Sequence, residues 1–209
     1  MRFISVEKLL LAYGKRKKDI KKRLNDFRET GKSKEKTRLE MFFCLCTPQS
    51  KALSCWSAIS EMNEKGLLDK GTRTEISKLI SSKGVRFKNN KARYIIEARE
   101  KFSDVWDVLN SKPPQEAREW LVENINGYGY KEASHFMRNS GYRELAILDR
   151  HILKNLEKLG VIDAVPKTLT KKNYFEIEGR FMKFSGKTGI PMDELDLLFW
   201  AEEAGLIFK

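Results

Sequence analysis

Two glycines one residue apart, Gly127 and Gly129, interrupt a stretch that otherwise has helical character on both sides. This spacing lets a backbone reverse tightly and come close to another surface, because neither residue carries a Cβ. Residues 114–124 have the apolar spacing of one helix, and residues 130–139 place Ala133, Phe136 and Met137 on one side of the next. Helix, hairpin and helix therefore follow one another. Backbone N–H groups at such a turn and helix start point outward and attract a phosphate oxygen. Lys131 stands at the edge of the turn, and Asp149 follows 18 residues later in Leu148-Asp149-Arg150-His151-Ile152. A glycine turn alone is common; the added lysine and aspartate make the pattern specific.

The same periodicity runs through the rest of the chain, and no β-branched run suggests a sheet, so an all-α fold is expected. The spacing predicts helices over 5–28, 35–46, 49–65, 72–82, 88–110, 114–124, 130–139, 149–158, 171–186 and 191–204. Pro48, Pro113-Pro114, Pro166 and Pro191 fall where helices begin or loops turn, and Gly84, Gly141, Gly160 and Gly189 mark gaps. With 209 residues the chain can bury a sizeable core.

The net charge is +12. Between Lys15 and Arg38, twelve Lys/Arg stand against four acids, which accounts for +8 of that excess. A lysine-rich solvated helix would carry such charge with no partner, but beside the hairpin it points to a polyanion, DNA. No apolar run approaches a membrane span, and Glu7 and Lys8 arrive too early for a secretory signal. An intracellular protein with no membrane association is expected. The three cysteines, Cys44, Cys46 and Cys55, are clustered without a CxxC pair and alternate with apolar residues, as small core hydrophobes do.

Gly127-Tyr128-Gly129-Tyr130-Lys131 followed by Asp149-Arg150-His151-Ile152 resembles the helix-hairpin-helix–Gly–Asp signature of the endonuclease III superfamily of DNA glycosylases. Cys46-Thr47-Pro48-Gln49-Ser50-Lys51-Ala52, the run Pro191 to Trp200, and the ending Gly205-Leu206-Ile207-Phe208-Lys209 narrow the likeness. They resemble the archaeal-type 8-oxoguanine DNA glycosylase/AP lyases, the second Ogg family, from about Lys36 to the last residue. The resemblance implies a single glycosylase unit of two helical lobes with a lesion cleft between them. About 50–140 would form the hairpin-bearing lobe, and 1–49 plus 141–209 the other. It also implies a prokaryotic, nucleoid-associated cytoplasmic protein acting as a monomer on double-stranded DNA containing 8-oxoguanine. The four-cysteine iron–sulfur cluster of many relatives is not expected, since no cysteine follows position 55. The two histidines make no metal site, and the chemistry calls for no cofactor.

The likeness assigns roles that the residue types suit. Lys131 is the expected nucleophile: an amine attacks as the free base, and the first turn of a helix disfavours an ammonium. Asp149, at the start of a helical run, is an obvious N-cap, and its carboxylate would also stabilise positive charge developing on the sugar. Gly127, Tyr128 and Gly129 are expected to hold phosphate. Gln49 would fill the gap left by the flipped nucleotide or meet the orphaned base. His135, one turn after Lys131, is a candidate DNA contact, with helix packing as its alternative. Trp200 and Phe87 are expected to flank the extruded base, with packing in the core as the alternative.

8-Oxoguanine differs from guanine at N7, which becomes a donor, so a selective site must offer an acceptor there. The apolar tail before Lys209 would bring a terminal carboxylate to that position, and Asp196, one turn before Trp200, could touch the same base. Two other readings remain open: the same chemistry on another oxidised base, and a hairpin module that binds DNA without catalysis. The second would need neither Lys131 nor Asp149.

Overall fold

The computed structural model describes residues 5–209, and the secondary structure of those residues is helical throughout. The elements are α1 (Val6–Gly31), α2 (Lys34–Cys46), α3 (Ala52–Glu64), α4 (Leu67–Lys70), α5 (Arg73–Ser82) and α6 (Lys88–Ser111). They continue with α7 (Pro114–Asn124), α8 (Tyr130–Asn139), α9 (Arg150–Lys158), α10 (Lys171–Thr188) and α11 (Met192–Ala204). The expected all-α class is observed. The spacing missed only α4, a single turn whose one buried side chain, Leu68, is too little to create a period. No helix among the described residues is long and apolar enough to cross a membrane.

The chain divides into two compact units, and the boundary falls within α8. The middle unit runs from Gly31 to Phe136. Its centre is α2, whose residues Met41 to Cys46 are all buried, so the second half of this helix is apolar around its whole circumference rather than along one stripe. α3 and α6 pack on it, α5 packs on α3 and α6, and α7 packs on α6. Cys44, Cys46 and Cys55 lie inside this core as free thiols, and burial pushes the Cys55 thiol up to about 11. The expected division put residues 31–49 with the chain ends; here they belong to the middle unit, because α2 supplies its core.

The other unit joins the described residues up to Thr30 with Met137–Lys209. α1 contributes Leu9, Ala12, Ile20, Leu24 and Phe27 from one face, leaving its lysines in water. α11 packs against both α9 and α10, and the Phe181 and Phe199 rings stack at 6.2 Å. In the last turn of α8, Arg138 Nη1 donates to Asp196 Oδ2 on α11 at 3.1 Å, and the guanidinium lies 4.9 Å from the Phe27 ring centroid. Both partners are fully enclosed.

Breaking a buried pair from one side leaves an uncompensated charge, whereas replacing both partners with apolar groups does not. Arg138→Met should therefore cost about 3–5 kcal/mol of unfolding free energy, and Arg138→Met/Asp196→Leu should recover most of it. Urea denaturation of the two variants checks this; a double variant no more stable than the single one would mean the pair is not the linkage described.

Candidate active site and DNA-binding hairpin

The hairpin occupies Ile125–Gly129, between α7 and α8. Tyr128 N–H donates to Ile125 O at 3.0 Å, closing a tight turn in which Gly127 takes φ of +93°. A Cβ at Gly127 would stand 2.6 Å from the Tyr94 ring, so both conformation and space require glycine there. Gly129 differs: a Cβ would meet only Glu132 Oε2, at 3.4 Å. Its carbonyl accepts from Ala133 N–H at 2.9 Å, making it the N-cap of α8. Its own N–H donates to Glu132 Oε2 at 3.2 Å, half of a capping box.

Beneath the turn, Tyr128 is buried and donates its hydroxyl to Met41 O on α2 at 2.9 Å. Burial raises its phenol pKa well above the ordinary value. The flanking helices are tied by Arg118 Nη1 to Ser134 Oγ at 3.2 Å and by Tyr130 Oη to the Glu119 carboxylate at 2.8 Å. The turn is thus fixed from below, while Gly127 itself is exposed.

Lys131 occupies the first turn of α8, half-buried, with Nζ 3.2 Å from Glu132 Oε1. The Glu132 carboxylate therefore faces both the nucleophile candidate and the Gly129 N–H, a role the residue pattern did not suggest. Lys131 is also near enough to Lys91 for its charge to act there: burial first, then the like charges of Lys131 and Arg86, lower the Lys91 pKa.

For His135 the structure shows the packing alternative. The residue is buried, with its ring edge-on to Phe43 at 5.7 Å, so it packs in the core instead of presenting a DNA contact. The helical face it shares with Lys131 turns inward after one turn, since Ala133 to Ser140 are all buried.

Gln49 and Phe87 lie on separate loops of the same unit, both exposed and both in left-handed backbone, at φ of 53° and 60°. That conformation is rare for side chains other than glycine and asparagine. Gln49 sits in a turn closed by Ser50 N–H to Thr47 O, so α3 begins at Ala52 and not at the expected 49. Phe87 precedes α6 with 49% of its surface exposed, flanked by the cations of Arg86 and Lys91 at 5.4 and 5.9 Å from its ring centroid.

In the other unit Asp149 caps α9. Its Oδ1 alone accepts both His151 N–H at 2.8 Å and Ile152 N–H at 2.9 Å, so capping uses one of the two carboxylate oxygens. The half-buried Trp200 ring lies 5.2 Å from the His151 ring, which brings it beside the helix start that Asp149 caps. His151 Nδ1 is 3.4 Å from Glu203. Asp193 and Glu194 stand in the first turn of α11, as expected of acids there. Asp196 corrects an expectation: although one turn from Trp200, it is buried against Arg138 rather than offered to a base. Lys209 is half-exposed beyond α11.

Residues 20–190 match the family described as 8-oxoguanine DNA glycosylase. The chain belongs to that family. It is 46% identical to the 8-oxoguanine DNA glycosylase/AP lyase of Fusobacterium nucleatum, over 99% of this chain and 97% of the relative. It is also similar to the crystal structure of the 8-oxoguanine DNA glycosylase of Thermotoga maritima, with a TM-score of 0.90 and 30% identity over 98% of each chain. A third likeness is to the 8-oxoguanine glycosylase/lyase of Methanocaldococcus jannaschii in complex with a 15mer DNA containing 8-oxoguanine. There the TM-score is 0.90 at 34% identity, covering 98% of this chain and 99% of the other.

The unequal demands on the two hairpin glycines generate a test. Gly127→Ala should weaken affinity for duplex DNA about tenfold and cost about 1–2 kcal/mol of stability, the strain of a left-handed non-glycine residue. Gly129→Ala should change both less. Fluorescence anisotropy and thermal melts compare the two; equal losses would show that the Tyr94 contact and the positive φ do not govern the turn.

Proposed function

We propose that this protein excises 8-oxoguanine from double-stranded DNA and then cleaves the strand at the resulting abasic site, in the cytoplasm of a prokaryote. The observation that supports this most is Lys131 itself, half-buried in the first turn of the helix that follows a phosphate-binding hairpin. The exposed backbone at Gly127, with no Cβ in the way, suits the close approach of a DNA phosphate.

Lys131 Nζ, as the free amine, attacks C1′ of the damaged nucleoside. The C1′–N9 bond breaks and the base departs with the bonding pair, to be protonated. Ring opening gives a Schiff base between Nζ and C1′. Removal of a 2′ proton then expels the 3′ phosphate by β-elimination, leaving the 5′ fragment as an unsaturated aldehyde after hydrolysis. Asp149 stabilises the cationic sugar with the part of its carboxylate that capping does not use. Trp200 and Phe87 supply flat apolar faces for the extruded base, a main-chain oxygen of Lys209 accepts the N7 proton, and Gln49 is a wedge for the vacated stack. The exposed lysines of α1 add to the attraction for the polyanion.

Borohydride trapping on a duplex with one 8-oxoguanine opposite cytosine tests the reading. A covalent adduct should form on the lesion strand and not with undamaged guanine, and Lys131→Gln should abolish it while leaving DNA affinity within about twofold, since one contact of many is lost. An adduct that survives Lys131→Gln would overturn the assignment of the nucleophile. Asp149→Asn separates the two tasks of that residue, because asparagine caps helices as well as aspartate. The melting temperature should stay near that of the parent protein, while single-turnover excision falls about 100- to 1,000-fold, the usual loss of one electrostatic partner. A variant that melts early and cleaves normally would reduce Asp149 to a cap.

A further inference from the structure

Gln49 and Phe87 are 38 residues apart in sequence, yet one buried cation serves both loops. Lys91 lies in the first turn of α6 with only 3% of its surface exposed. Its ammonium donates to Cys46 O at 2.6 Å, Pro48 O at 2.8 Å and Ser50 Oγ at 3.0 Å. These three acceptors wrap the turn in which Gln49 takes its left-handed conformation. The Ser50 hydroxyl, itself donating to Pro48 O at 3.4 Å, also accepts Arg86 N–H at 3.0 Å, one residue before Phe87. The Lys91 charge in turn lies 5.9 Å from the Phe87 ring centroid.

An ammonium has three protons, and this one directs them at two main-chain carbonyls and a hydroxyl. A buried charge is tolerated only where such acceptors replace its water, so the network must close for the unit to pack. In closing, it holds two strained residues whose left-handed backbones would otherwise relax.

We propose that Lys91 is a positioning residue that, through Ser50, locks the Gln49 and Phe87 loops together, so that the wedge for the vacated stack and the wall for the extruded base are preformed as one unit. This rests on the reading that Gln49 and Phe87 meet opened DNA. Lys91 touches no substrate; it lowers the ordering that the two loops would otherwise undergo on binding.

The test uses the full chain and a duplex with 2-aminopurine beside the 8-oxoguanine, whose fluorescence rises when the stack opens. Lys91→Met keeps the aliphatic stem and removes the ammonium; Ser50→Ala severs only the link between loops. Lys91→Met should suppress the fluorescence rise and slow excision about tenfold or more, the effect of losing a hydrogen bond to a charged group. Ser50→Ala should slow excision about threefold, as for one neutral hydrogen bond. Borohydride trapping by Ser50→Ala on a preformed abasic site, which has no base to extrude, should change less than about twofold, since this variant keeps the Lys91 charge that acts on Lys131. Phe87→Ala combined with Lys91→Met should be little worse than Phe87→Ala alone, because residues acting as a unit are not additive.

Equal loss of excision and abasic-site trapping in Ser50→Ala, with a lowered melting temperature, would overturn the proposal in favour of a merely structural network. So would normal stack opening in Lys91→Met while Phe87→Ala is impaired, leaving the wedge reading intact. Normal behaviour of both Gln49→Ala and Phe87→Ala would remove that reading and the proposal with it. Should Lys91→Met fail to fold, Ser50→Ala decides: its stack opening and excision either fall together or stay at the parent level, and the latter overturns the coupling.

Discussion

A positive charge taken out of water must find its acceptors in the protein, and among the described residues three enclosed cations show how this fold meets that demand. Lys91, Arg118 and Arg138 are each at most 3% exposed. Each binds a different segment: Lys91 the loops of Gln49 and Phe87, Arg118 the two helices of the hairpin, and Arg138 the end of α8 to α11. Such linkages add little net stability against an apolar alternative. They supply direction instead, because a hydrogen-bonded cation accepts only one arrangement of its neighbours whereas packed aliphatic groups accept several. A protein that must hold a few side chains in fixed places gains from that exchange.

α8 shows how this direction reaches the candidate nucleophile. Its first turn carries Lys131 half in water, and its remaining turns, from Ala133 onward, are enclosed. The helix start is set by a turn that only Gly127 permits and by Tyr128 reaching down to Met41 O. Lys131 therefore sits on a rigid helix rather than on a loop, with Glu132 beside it. That is the arrangement a reaction at one sugar carbon requires, since small displacements there are costly.

Much of this was legible in the residues. Helices with a polar face, such as α1 and α10, announce themselves by spacing, and the glycine pair and Asp149 mark the hairpin and the cap by residue type alone. What stayed hidden involves partners distant in sequence. Asp196 and Trp200 share a helical face by register, but Arg138, 58 residues away, claims the carboxylate. His135 likewise follows Lys131 by one turn, yet Phe43 from α2 closes over it. Nothing local marks Lys91, because the carbonyls of Cys46 and Pro48 that surround it lie more than 40 residues away in sequence. A four-residue helix and a left-handed turn at Gln49 leave no periodic signal at all.

The left-handed backbone at positions 49 and 87 also shapes how this surface can evolve. Side chains branched at Cβ are the least compatible with positive φ. Valine, isoleucine and threonine are therefore disfavoured at both positions before any contact with nucleic acid is considered. Unbranched or aromatic residues such as methionine, glutamine and phenylalanine remain accessible. Drift at the two sites is channelled toward long, reaching side chains, so the backbone itself filters which residues selection for lesion recognition can sample.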